Sequence, residues 1–206
     1  DQHGLRPVEF AERLEWLGPD VWFAHLVQLA PEEIRRLGET GTGIAHCPQS
    51  NGRLGSGIAP VLDLEAAGSP VSLAVDGAAS NEAADMVSEA HAAWLMARAR
   101  EGGLSRPATD GGAGEAGVRM LPATQVIHWG TQGGARVLGL DAVGRIAVGA
   151  AADIALHDLT RDPRHFGVHD TLSAPVVCGG RAHLRRLYVQ GREIVRDGVL
   201  AGLDLA

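Results

Sequence analysis

The 206-residue chain carries 45% hydrophobic and 21% charged residues, the profile of a soluble globular protein able to build a core. A formal charge of -7 argues against a nucleic-acid-binding surface, which needs a clustered basic excess. No apolar run approaches the roughly 18–20 residues of a membrane span, and two distant cysteines, Cys47 and Cys178, exclude a disulfide scaffold and fit a reducing, cytoplasmic setting.

In chain order, residues 21–27 read as a strand, and residues 31–38 as a helix with Pro31 near its first turn and Gly41 beyond its end. Residues 42–47 are the next short strand, residues 58–67 the next helix, closed by Gly68, and residues 71–75 the third strand. A long helix is predicted over residues 81–100, with Asn81 as its cap and Glu82 and Asp85 suiting the positive end of its dipole. Three β-α units with short connections imply parallel strands joined by right-handed crossovers.

Residues 102–120 form a glycine-rich insertion without evident chemistry, and a helix over residues 123–138 ends at Gly139. Residues 144–156 read as two short strands joined by a Gly-Ala turn, and residues 184–198 as a hairpin turning at Gln190-Gly191. The fold class is therefore α/β over residues 1–141, followed by a small β module over residues 142–206.

Each of the three parallel strands ends on a polar group: His25, His46 and Asp76, spaced by 21 and 30 residues. Neighbouring strands would bring these side chains to one face, the carboxyl end of the sheet, where active sites of parallel α/β proteins collect. Taken singly, Asp76 could simply cap the following helix through Asp-Gly turn chemistry, and His25 could be a satisfied core histidine. His91, among Val87, Trp94 and Leu95 on the long helix, reads as core or interface, and His128 beside Trp129 is similar. His165 and His169 are four apart, but Gly167 between them argues against a helix presenting both to a metal. Cys47 reads as buried packing.

The segments Val-Trp-Phe-Ala-His (21–25), Ala-His-Cys-Pro-Gln-Ser-Asn (45–51), Arg-Leu-Gly-Ser-Gly-Ile-Ala-Pro (53–60) and Val-Asp-Gly-Ala-Ala-Ser-Asn (75–81) together resemble the amidohydrolase superfamily. Residues 133–139 and the spaced set Gly149, Ala152, Asp153 and Ile154 match its later landmarks. The branch is that of cytosine-type deaminases and triazine chlorohydrolases, and the likeness is strongest to 8-oxoguanine deaminases and hydroxytriazine aminohydrolases.

The resemblance implies part of a distorted (β/α)8 barrel with one divalent metal, zinc or else iron, that hydrolyses an amine from a small heterocyclic substrate of purine or triazine type. It assigns Asp76 to the metal-ligating aspartate that also accepts the water's proton. It assigns His25 to the histidine beside the metal, itself a possible ligand, with Asp76 a candidate partner to fix its ring. His46 takes a supporting position near the pocket, and Asn51, Ser80 and Asn81 hold loops. The full-length family implies a homo-oligomer.

The family's His-x-His pair, its third histidine and its catalytic glutamate are not among these residues, so on this resemblance the chain holds strands six to eight and the closing β module of a longer enzyme, inactive alone. Gly52 also departs from the family's bulkier residue. Two other readings stand beside the deaminase: a non-catalytic fragment that associates through open barrel edges, and a superfamily hydrolase with another leaving group, either a chlorohydrolase or a cyclic amidase.

Overall fold

A computed structural model describes residues 3–104, 119–160, 163–178 and 183–202. Most of the glycine-rich insertion lies outside these residues. The first helix, α1 (Pro7–Arg13), leads to β1 (Trp22–Ala24), α2 (Pro31–Thr40) and β2 (Gly43–His46). Two short helices, α3 (Pro48–Arg53) and α4 (Val61–Ala67), precede β3 (Val71–Leu73), and α5 (Met86–Gly103) follows. The strands form a parallel sheet in the order β1-β2-β3, with Ala24 opposite Ala45 and His46 opposite Leu73.

The central strand β2 is buried at every position, as a parallel strand covered on both faces must be. Ile44 and Val71 from the sheet pack with Leu37 of α2, Val61 and Leu64 of α4, and Ala93 of α5. Helices α2 and α4 meet at Gly38, where an added Cβ would lie 2.1 Å from the Ala67 carbonyl oxygen. Glycine is required there by the approach of the neighbouring backbone.

The predicted helix over residues 123–138 is continuous but not uniform. It runs through α6 (Ala123–His128), a π segment (Trp129–Gly133) and α7 (Gly134–Val137), with left-handed Gly139 just beyond. A Cβ on Gly133 would lie 2.1 Å from the Val71 carbonyl oxygen, so the π segment rests directly on β3. Trp129 is fully buried and donates its Nε1–H to Glu65 at 2.7 Å.

Two expectations fail. The long helix starts at Met86, not Asn81, because Asp85 accepts from the Val87 and Ser88 amides and is the cap. Residues 144–156 contain one strand, β4 (Ile154–Asp158), not two. Residues 142–151 close turns on themselves through Ala150 to Ala147 and Ala151 to Ala142, leaving Ile146 and Val148 exposed.

After a 3-10 turn (Pro163–His165) and α8 (Ala174–Cys178), β5 (His183–Val189), β6 (Arg192–Arg196) and β7 (Val199–Leu200) join β4 in an antiparallel meander. The predicted hairpin turn is present. Gln190 and Gly191 both have positive φ, the conformation a two-residue turn between twisted strands needs. The Gln190 amide donates to Asp153 at 2.6 Å.

Candidate active site

Hydrogen bonds continue past the strand ends: the His25 amide donates to the Ala45 carbonyl and the Ala74 amide to that of His46. His25 and Asp76 thereby come together at the carboxyl edge of the sheet, their side chains 40% and 32% exposed. Their nearest atoms, His25 Nε2 and Asp76 Oδ2, are 3.7 Å apart, too far for a hydrogen bond.

The ring of His25 is fixed by Asn51, not by Asp76 as the sequence suggests. Its Nδ1 lies 2.8 Å from Asn51 Oδ1, which can only accept, so Nδ1 donates there and Nε2 is turned toward Asp76. Asn51 reaches this position from α3, a helix that pattern reading does not find, and is itself buried.

Asp76 is held by three donors. Ser50 Oγ lies 2.6 Å and Ser80 Oγ 3.1 Å from Oδ2, and the Gly77 amide donates to Oδ1 at 2.8 Å. The Ser50 hydroxyl, with the Gly77 amide behind it, holds the Asp76 carboxyl below the usual carboxylate range. This pattern makes Asp76 an anchored anion at a sheet edge and not the cap of the next helix, which is capped by Asp85. The part played by Ser50 is invisible to motif reading, because a serine 26 residues from its partner carries no signal in spacing.

His46 is in a different environment. It is wholly buried at the end of β2, and neither ring nitrogen has a hydrogen-bond partner among the described residues. Burial, with a smaller contribution from His25, pushes its pKa down to about 4, so the ring is neutral. Cys47 beside it is buried and its thiol is pushed up to about 11, chiefly by that burial, which leaves it an unreactive packing group. His91 Nδ1 donates to the Val176 carbonyl at 2.6 Å, tying α5 to α8. His165 is buried and His169 exposed, so the two do not face a common site.

Backbone conformation also singles out this edge. His25, Leu26 and Asp76 have φ of 69°, 46° and 66°, a left-handed region that costs non-glycine residues of order 1–3 kcal/mol each. Such strain persists only where the surroundings over-determine it, and it gathers at functional sites.

Comparison with known proteins identifies the frame. Residues 2–194 match the amidohydrolase family. The chain belongs to that family. Over 203 residues it is 56% identical to an isoxanthopterin deaminase from an unknown prokaryotic organism, and over 204 residues 46% identical to an 8-oxoguanine deaminase of Pseudomonas aeruginosa. Among solved amidohydrolase-like structures, it superposes on an adenosine deaminase from Xanthomonas campestris with bound zinc at a TM-score of 0.87 and 30% identity, covering 98% of this chain and 43% of that one. The alignments cover 98% of this chain but 42% and 41% of the two deaminases, so the chain spans about two fifths of the curated relatives it matches. The α/β elements described above are thus part of an amidohydrolase barrel.

Among the described residues, no group of three or more His, Cys, Asp and Glu is placed to hold a metal ion. The pair His25 and Asp76 nevertheless suits one in kind. A neutral imidazole nitrogen and an ionised carboxylate are ordinary zinc donors with bonds of about 2.0–2.2 Å. The 3.7 Å separation of Nε2 and Oδ2 suits one shared ion once a serine hydroxyl gives up its bond to Oδ2.

Proposed function

We propose that this chain supplies the carboxylate and one histidine of a zinc-dependent hydrolase that removes the amine from a fused heterocycle of purine or pterin type. The observation that carries the reading is the His25–Asp76 pair: oriented by Asn51 on one side and Ser50 on the other, and seated on left-handed backbone at the sheet's carboxyl edge. The substrate class is the one to which isoxanthopterin and 8-oxoguanine belong, the compounds named for the two relatives above.

His25 and Asp76, together with other donors, would hold a divalent ion, which would supply Lewis-acid activation of water. The chain's own residues move the proton and orient the reacting centre. Asp76 Oδ2 faces His25, while Oδ1 accepts one amide and keeps a free lone pair. That lone pair takes the proton released as water adds to the amine-bearing ring carbon. Asp76 can do so because its three donors keep it ionised at neutral pH. His25, with Nδ1–H committed to Asn51, offers Nε2 to the reacting centre in a fixed orientation. Asp76 then passes that proton to the exocyclic nitrogen, the electron pair displaced onto the ring nitrogen re-forms the ring carbon–nitrogen double bond as the exocyclic bond breaks, and the nitrogen departs as ammonia.

The test is a chimera in which this chain replaces the aligned segment of the isoxanthopterin deaminase. Ammonia release is expected from the chimera. Asp76→Asn should lower kcat by about a thousandfold, within the range that removing a proton-transfer group produces. Undiminished turnover in that variant would refute the assignment. Chloride release from a chlorotriazine, without ammonia release, would favour the other leaving group.

A further inference from the structure

Behind the candidate site lies a buried carboxylate that the reaction does not use. Glu89, in the first turn of α5, is fully buried. Its Oε1 accepts from the Gln49 amide at 3.0 Å, and its Oε2 accepts from Gln49 Nε2 at 2.7 Å and Asn81 Nδ2 at 2.9 Å. Gln49 immediately precedes Ser50, and Asn81 immediately follows Ser80. Ser50 and Ser80 are the two hydroxyls on Asp76 Oδ2, and they lie 2.9 Å from each other.

Two dipeptides, 49–50 on α3 and 80–81 after β3, are therefore bridged twice. Asp76 joins their serines on the side of the site, and Glu89 joins their amides on the side of the core. These partners of Glu89 are three neutral N–H donors, with no cation among them. Packing alone is a poor reason for such a group, since an apolar side chain would join α5 to α3 without burying a charge. A carboxylate has one property that an apolar side chain or an amide lacks: both of its oxygens only accept, so it can seize donors from two segments at once.

We propose that Glu89 is a positioning residue that clamps Gln49 and Asn81 so that Ser50 and Ser80 hold the Asp76 carboxylate in one orientation. The purpose of the clamp rests on the reading of Asp76 as the site carboxylate; its geometry does not. Glu89→Gln breaks it selectively, because glutamine puts an N–H₂ where one of the accepting oxygens was.

Amide hydrogen exchange on the 206-residue chain tests this. The reporters are the Gly77 amide, which donates to Asp76, and the Asn81 amide, which donates to Gly77. The controls are the sheet amides of Gly43 and Ile44, bonded to Val21 and Pro70. In Glu89→Gln, exchange at Gly77 and Asn81 should accelerate about tenfold or more, with the sheet amides changed less than about twofold, and the Gly77 amide proton should move upfield as its bond to Asp76 weakens. In a Ser50→Ala, Ser80→Ala background the same substitution should produce no further change at Gly77. Unchanged exchange at Gly77, equal acceleration everywhere, or full additivity with the serine variants would overturn the clamp. Should Glu89→Gln not fold, Asn81→Ala and Gln49→Ala each remove one arm, and either must loosen Gly77. Failure of Asp76→Asn to affect the chimera would remove the catalytic reading while leaving this exchange pattern intact.

Discussion

The buried, unpartnered ring of His46 should make stability depend on acidity in a window set by one residue. In the unfolded chain the imidazole titrates near 6.5, and in the fold near 4, so between these values the unfolded state binds the extra proton. Stability contributed by the neutral ring is therefore complete above pH 6.5 and is lost as pH falls toward 4. At about 1.4 kcal/mol per unit of pKa difference, the loss is about 2 kcal/mol by pH 5 and about 3 kcal/mol by pH 4. Carboxylates titrate in the same acid range, so the measurement must be a difference. His46→Leu replaces the ring with an apolar group of similar bulk and removes the titration while leaving every carboxylate in place. Urea unfolding followed by far-UV circular dichroism, with chelator present, should show the parent losing about 3 kcal/mol more than His46→Leu between about pH 7.5 and about pH 4. The leucine variant should also hold its own at neutral pH, because it removes two buried nitrogens that lack partners. A gap between the two proteins that stays constant within about 0.5 kcal/mol across this range would refute a buried neutral His46.

Asn51→Leu should release the ring of His25. Long-range proton–nitrogen correlation spectra should show the Nδ1–H form in the parent and a shift toward Nε2–H in the variant; an unchanged tautomer would sink the orienting role of Asn51. Gly38→Ala should destabilise the fold although alanine is the better helix former by about 1 kcal/mol. The new methyl group meets the Ala67 carbonyl at 2.1 Å, so α2 and α4 must separate, at an overpacking cost of about 1–3 kcal/mol. A raised melting temperature would count against that contact.

The parallel sheet and its three polar strand ends were legible because they depend on local pattern: short β-rich runs, glycine stops, and polar residues one β-α unit apart. The hairpin turn at Gln190-Gly191 was legible for the same reason. The start of α5 was not. Asn81 and Asp85 are equally good caps in isolation, and the choice between them is made by Glu89, which takes the Asn81 side chain for a bond across eight residues. Residues 144–148 carry the β-branched Ile146 and Val148 that suit a strand, but such a run forms one only where a neighbouring strand accepts it, and here the backbone bonds to itself.

The largest gap lay in the site itself, where two kinds of information never enter the pattern of residue types. One is the set of side-chain bonds joining Asn51 to His25, Ser50 to Asp76 and Glu89 to Gln49, across 26 to 40 residues. The other is backbone strain. Of the seven non-glycine residues with positive φ among those described, Gln190 and Asp197 sit beside glycines in tight β turns. His25 and Leu26 have no neighbouring glycine, and Asp76, though followed by Gly77, lies outside any hairpin; all three occupy the same sheet edge. The bonds and the strain answer each other: a left-handed Asp76 is tolerable because Ser50, Ser80 and Gly77 fix its carboxylate, and a left-handed His25 because Asn51 fixes its ring. Removing the bonds should therefore relax the backbone before it unfolds the sheet. This makes the edge of β1 to β3 a preorganised site, with its cost borne by the surrounding fold.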